Sequence, residues 1–243
     1  MSTIQNIVEY YDELFPVTTV QKKFYDSLVK EYPNPVKFLR IECGTGMFES
    51  ILAREGYDVT GIESSEELLR SANMRRRSQL MSIHFFQMNY LDMPRFLGKS
   101  FYNIISILDD RILFIHDRTL MRKFFHDVKN LLTEGGTFIV TLPNFDIMQA
   151  LPMQKLPTRV SVRAALYTEM WEREDGKHYI KQNLETGNGR IIPILDDAPI
   201  YALKSNEVKE FASEAGFKEI RLYSNFEGAP FTGKEDSIVV TLK

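Results

Sequence analysis

Apolar residues recur along the chain with two periods, and the switches between them lay out the fold. From the N-terminus they fall at Ile4, Ile7, Val8, Tyr11, Leu14 and Phe15, and after Pro16 at Val20, Phe24, Tyr25, Leu28 and Val29. Both sets have helical spacing, which predicts two amphipathic helices interrupted near Pro16. Pro33 and Pro35 then end helical structure and deliver the chain to a strand over 36–41. The strand breaks into Glu42-Cys43-Gly44-Thr45-Gly46, and a helix begins at once, running to about Glu55 with Gly56 as its stop. Strand, tight turn and helix in that order build a ligand crevice at the carboxyl end of the first strand of an open α/β sheet.

The same alternation continues. Val59–Glu63 is a second strand ending in an acid. In Ser64-Ser65-Glu66-Glu67 a serine stands three residues ahead of a glutamate, a capping box that opens a helix through Leu68, Leu69 and Ala72. Ile83–Gln87 is a third strand, followed by the loop Met88–Asp92. Asn103–Leu108 is a fourth, nearly all apolar as buried parallel strands are. Leu120, Met121, Phe124, Phe125, Val128, Leu131 and Leu132 make a helix stripe closed by Gly135-Gly136, and Thr137–Leu142 is a fifth strand stopped by Pro143. This is the pattern of a parallel sheet covered by helices. It breaks from about 158 to 203, where strand-like runs are separated by Asp175-Gly176 and Asn188-Gly189, both hairpin turn pairs. Ser205 then caps a helix through Val208, Phe211 and Ala212 to a stop at Gly216. Glu219–Tyr223 and Ser237–Leu242 are joined without room for a crossover helix, so these last strands are expected antiparallel. The expectation is an α/β, Rossmann-like domain: a mostly parallel seven-stranded sheet, a C-terminal antiparallel strand pair and a small antiparallel β insertion.

Composition narrows the class. With 243 residues, 44% of them apolar, the chain can bury a substantial core. A net charge of −3 argues against a dedicated nucleic-acid binder, and Arg75-Arg76-Arg77, following a predicted helix, reads as a solvated helix end. One cysteine excludes an internal disulfide framework and fits a reducing compartment. The first residues, Met1–Asn6, lack the basic-then-apolar order of a signal peptide, and no apolar run approaches the ~18 residues of a membrane span. These features predict a soluble, cytoplasmic protein with no membrane partner. His84, His116, His126 and His178 show no ligand spacing, so no metal site is expected.

Particular motifs carry a family resemblance. They are Cys43-Gly44-Thr45-Gly46, Ser50-Ile51-Leu52, Gly56 to Ser65, Leu68 to Ala72, Leu131 to Thr137, Ala215 to Ile220 and the pair Tyr11-Asp12. With them the chain resembles the class I S-adenosylmethionine (SAM) dependent methyltransferases, most of all the small-molecule N-methyltransferases related to glycine N-methyltransferase. The resemblance implies SAM as cofactor, S-adenosylhomocysteine as product, and a small-molecule methyl acceptor, an amine among the candidates. It implies a cofactor-binding core over 36–150 behind N-terminal helices in 1–35, a lid over 151–203, and a sheet completed by 204–243. It also implies roles: Glu42, Cys43, Gly44 and Thr45 around the methionine part of SAM, Glu63 and Ser64 at the ribose, Asn89 and the Tyr90 backbone at adenine, and Leu108 and Tyr11 against the cofactor. Asp109, Arg111, Trp171 and Tyr201 are the candidates for the acceptor side.

Several of these residues have plainer readings. A turn ending a buried strand exposes backbone N–H groups at a helix N-terminus, and two carboxylate oxygens suit two ribose hydroxyls. Yet Glu63 also suits a helix N-terminus, Asn89 a turn, Cys43 simple packing, and Trp171, Tyr167 and Tyr201 the core of a small sheet. Three departures from the family pattern stand out. Arg40 occupies the place of an acid, Glu42 that of glycine or alanine, and Asp109-Asp110-Arg111 that of Gly-Asn-Ser. Arg40 would repel the cationic cofactor unless paired or turned away, while Glu42 could either hold the ligand's ammonium or fill its pocket. These departures motivate a rival reading, a binding or regulatory module that has lost turnover. A nicotinamide dehydrogenase would want glycine three residues beyond Gly46, and that position is Glu49.

Overall fold

The computed structural model describes residues 5–76, 82–147 and 153–243; Met1–Ile4, Arg77 and the start of the predicted insertion at 151–152 fall outside them. The first apolar stripe forms two short helices, α1 (Gln5–Val8) and α2 (Tyr11–Leu14), where one was expected, and α3 (Thr19–Leu28) follows Pro16. The turn between the two short helices brings Ile7, Tyr11 and Leu14 to one buried side. Thr18 caps α3, its hydroxyl accepting from the Gln21 N–H.

β1 (Lys37–Ile41) leads through the glycine turn into α4 (Met47–Arg54), then come β2 (Asp58–Glu63), α5 (Glu66–Arg76) and β3 (Ile83–Gln87). A short helix not signalled in the sequence, α6 (Met93–Phe96), precedes β4 (Tyr102–Ile107), α7 (Arg118–Leu131) and β5 (Leu132–Pro143). α7 ends one turn earlier than Gly135-Gly136 suggest. Leu132 is already extended and pairs with Tyr102, and the two glycines lie inside the strand, where the β4–β5 register shifts. The insertion is β6 (Gln154–Val160), β7 (Ala164–Glu172), β8 (His178–Thr186) and β9 (Ile191–Ile200), all antiparallel, with the two expected turn pairs at its hairpins. α8 (Ser205–Glu214) is capped by Lys204 and not by Ser205: the Glu207 carboxylate accepts the Lys204 N–H. β10 (Ile220–Tyr223) and β11 (Ser237–Leu242) pair antiparallel and complete a seven-stranded sheet of order β10-β11-β5-β4-β1-β2-β3.

Strand alternation sorts the core into two layers. Leu39, Ile41, Ile62, Ile105 and Ile107 face α7 and α8, where Phe138 meets Phe124, Phe125 and Phe217. Phe38, Val59, Ile104 and Ile139 face the other way, onto Tyr25, Phe48 and Leu52. Burying each such side chain contributes about 1.5–3 kcal/mol. The insertion buries Ala164, Leu166, Leu184 and Ile194 against Ile7, Tyr11, Leu14 and Leu68, which sets its inner face over the carboxyl ends of the parallel strands. No helix among the described residues is long and apolar enough to cross a membrane.

Candidate active site

The pairing Ile41↔Ile62 and Ile41↔Ile107 ends β1, β2 and β4 side by side, so the residues that follow them converge. They close a cavity of about 280 Å³ whose floor includes Glu42, Glu63, Ser64, Asn89, Tyr90, Asp109, Asp110 and Arg111. Its roof is the insertion, with Leu156, Leu166, Ile180, Ile194 and Leu195 inward, and its side is closed by Ile7, Phe15 and Phe114.

Glu63 is buried, and both its oxygens hold backbone: Oε2 accepts from the Gly44 N–H at 2.8 Å and Oε1 from the Ser65 N–H at 2.9 Å. The carboxylate therefore fixes the glycine loop and the start of α5 while its remaining lone pairs border the cavity. Ser65, rather than Ser64, caps that helix through its hydroxyl to the Leu68 N–H at 3.3 Å. Ser64 instead donates to Glu42 Oε2 at 2.9 Å. Burial, with the Glu63 charge beside it, pushes the Glu42 carboxyl up to about 8.

Glu42, Asp109 and Asp110 share an unusual backbone, with φ of 54°, 58° and 62°. A side chain in this left-handed region costs about 1–2 kcal/mol, and all three border the cavity. Two arginines hold the strained pair after β4. Arg40 Nη2 meets Asp109 Oδ2 at 2.8 Å, and Arg159 Nη2, reaching down from β6, meets Asp110 Oδ2 at 2.7 Å. Arg40 is thus both paired and turned away, toward the α3 side of the sheet, with Glu49 Oε1 3.8 Å from its Nε. Burial raises the Glu49 carboxyl to about 7, against the pull of Arg40.

Tyr11 stands on the glycine loop: a Cβ added at Gly44, whose φ is 62°, would lie 2.4 Å from its ring. Only a residue without a side chain permits this approach. Burial drives the Tyr11 hydroxyl up to about 12 despite nearby Arg111, whose Nη2 donates to it at 3.4 Å. Tyr11, Cys43 and Thr45 border a separate space of about 20 Å³ with Arg40 and Glu49 and do not border the larger cavity. The Thr45 hydroxyl donates to Asp12, and burial holds the Cys43 thiol well above its ordinary value, fitting a packing role.

Other expected site residues stand elsewhere. Leu108 is buried in the core layer toward α3 and α4 and does not border the cavity. Trp171 lies on the outer face of the insertion, stacked on Tyr179, because β7 buries the alternate positions Leu166, Thr168 and Met170. Tyr201 turns its hydroxyl to Glu207 Oε1 at 2.5 Å. Neither Trp171 nor Tyr201 borders the cavity. Asn89 does, but its side-chain oxygen also accepts the Leu91 N–H at 3.0 Å, so it is a turn residue as well. Arg159 and Phe114 were not singled out in the sequence. Arg159 escapes a period-two reading because the β6–β7 register shifts between Leu156 and Arg159, at Pro157.

The cavity suits SAM chemically: two acids, Glu42 and Glu63, border it, and Glu63 joins the loop glycine Gly44 to the start of α5. Comparison with known proteins agrees. Residues 35–216 match the methyltransferase-domain family. A protein of Geobacillus sp. (strain WCH70) described as a candidate methyltransferase is 27% identical over 158 residues, which are 63% of this chain and 61% of the relative's length. The chain thus spans about three fifths of the length of the curated relatives it matches. Among solved structures, the CcbJ methyltransferase from Streptomyces caelestis superposes with a TM-score of 0.78 at 18% identity, covering 98% of this chain and 95% of that one. A SAM-dependent methyltransferase from Clostridium acetobutylicum ATCC 824 gives 0.76 at 19% identity, covering 98% and 97%. At these identities the two structures speak for the fold.

Proposed function

The chain belongs to the methyltransferase-domain family, and from that premise we propose that it transfers a methyl group from SAM to a small molecule. The observation that carries this reading is the placement of Glu63 and Glu42 at the ends of adjacent strands, inside one cavity roofed by the insertion. Glu63 would hold the ribose, Glu42 and the Gly44 loop the amino-acid end, and Asn89 with Tyr90 the adenine. SAM would supply a methyl group on a sulfonium: the acceptor's lone pair bonds to the methyl carbon as the carbon–sulfur bond breaks, and S-adenosylhomocysteine leaves with that electron pair.

The residues of the chain then contribute position and exclusion of water. Alignment of nucleophile and methyl group, in a site dried by the insertion and by Phe15 and Phe114, accounts for most of the acceleration such a reaction needs. A roof fixed at Arg159–Asp110 and at Arg163, whose guanidinium reaches Glu9 and Glu13, encloses a volume fit for a small molecule. The acceptor class left open by the glycine N-methyltransferase resemblance includes amines. Arg40, which motivates the rival reading of a module without turnover, lies outside the cavity and carries its own counter-charges.

The test is methyl-labelled SAM with a panel of small amines, hydroxy compounds and carboxylic acids. Acceptor-dependent release of S-adenosylhomocysteine is expected. Tight SAM binding with no release above the rate without acceptor would favour the binding module.

A further inference from the structure

The charged side chains bordering the cavity are almost all accounted for. Asp109 is held by Arg40, Asp110 by Arg159, Glu63 by two backbone N–H groups and Glu42 by Ser64. Arg111 differs. Among the described residues no carboxylate lies within ion-pair distance of it; its one side-chain hydrogen bond goes to the Tyr11 hydroxyl at 3.4 Å, and its Nε is buried with no partner at all. Its guanidinium instead sits 5.6–6.0 Å from the ring centroids of Tyr11, Phe15 and Phe114. Aromatic faces steady a cation, but they leave a planar fork of donors unsatisfied. Burying a charged donor without an acceptor is costly, and the group that repairs this is a carboxylate, which can take two guanidinium N–H bonds at once.

We infer that Arg111 receives a carboxylate of the methyl acceptor, which makes the substrate a small carboxylic acid with an apolar body. This rests on the methyltransferase reading above. The wall around Arg111 favours an acid on the acceptor over one on the cofactor. The Tyr11 hydroxyl meets Arg111 Nη2 at 3.4 Å and also lies against Gly44, so Arg111 stands next to the glycine loop, where an acceptor would meet the cofactor. Phe15 and Phe114 line one cavity with the roof, where Thr168 and Gln182 bond each other at 3.0 Å and the remaining inward side chains are largely apolar. That wall offers an alkyl or aryl body good contact and little to hold a second charge. The methyl-accepting nitrogen or oxygen would then lie between the acid and the cofactor.

The experiment is calorimetry on the protein saturated with S-adenosylhomocysteine, titrated with phenylacetate and with its neutral match, phenylacetamide. Wild type should bind the acid at least about tenfold more tightly, Arg111→Gln should show no preference, and Arg111→Lys should keep part of it. A second arm compares S-adenosylhomocysteine with methylthioadenosine, which lacks the amino-acid end, in wild type and Arg111→Gln. Equal binding of acid and amide by wild type overturns the inference, as does a preference that survives in Arg111→Gln. Loss in Arg111→Gln of the preference for S-adenosylhomocysteine, with no acid preference in wild type, also overturns it by assigning Arg111 to the cofactor. Failure of wild type to bind S-adenosylhomocysteine would instead refute the underlying methyltransferase reading, and binding of that product by the variants shows that they fold.

Discussion

Glu42 gives the cavity a pH signature. Its carboxyl titrates near 4.5 when free and near 8 in the folded protein, raised by burial and by Glu63. Between these values the folded state keeps a proton that the unfolded chain has lost. The resulting stability is fully present below the lower value and is lost as pH rises through the upper one. A cationic ligand favours the ionised form, so its binding expels that proton. SAM affinity should therefore rise by up to about tenfold per pH unit as pH approaches about 8, then level off. Calorimetry across that range should find the slope in wild type and a flat line in Glu42→Gln. Gly44 offers a steric counterpart. With φ at 62° and the Tyr11 ring 2.4 Å from an added Cβ, Gly44→Ala should lower stability by at least about 1 kcal/mol in urea unfolding and shift Tyr11 off the loop. At this scale the sequence was partly legible. Glu63 could be placed at the cavity because it ends a buried strand beside the glycine turn, whereas the Arg40–Asp109 contact joins a strand to the turn after another strand and follows from no local rule.

The elements that hold the site can be tested separately from it. Asp117 caps α7, its Oδ1 accepting the Leu120 N–H at 2.9 Å, so Asp117→Ala should cost about 1 kcal/mol in chemical denaturation. The insertion is tied down by Arg159–Asp110. Arg159→Ala leaves a half-buried carboxylate without this partner beside a strained backbone, and hydrogen exchange should quicken in β6 more than in β7 or β8. Strand alternation explains both success and failure in reading this sheet. Tyr167 and Trp171 occupy the outward positions of β7, which its alternation could have shown, while the shift at Pro157 hid Arg159. Helix ends were read less well: α7 stops before its glycines because Leu132 already pairs with Tyr102, a contact set by the sheet and not by the helix sequence.

For the molecule as a whole, the order of elements was legible because buried parallel strands are nearly continuous apolar runs and the covering helices are striped. Both features persist through β5, and the shortness of the β10–β11 connection gave the antiparallel close. The two layers depend on rings at their centres, so Phe138→Ala should lower stability by about 3–5 kcal/mol in urea unfolding. What no pattern along the chain could show is that the roof would come down over the ends of β1, β2 and β4, because that depends on Ile7 and Leu14 packing under Leu166 and Ile194. The proposed SAM site is this convergence, centred on Glu63. Its most direct test is calorimetric titration of SAM into wild type and Glu63→Ala, with unfolding curves to show that both are native. Saturable binding by wild type, weakened at least about tenfold in Glu63→Ala, is the predicted result. No heat from folded wild-type protein at millimolar SAM, or undiminished affinity in Glu63→Ala, would contradict it.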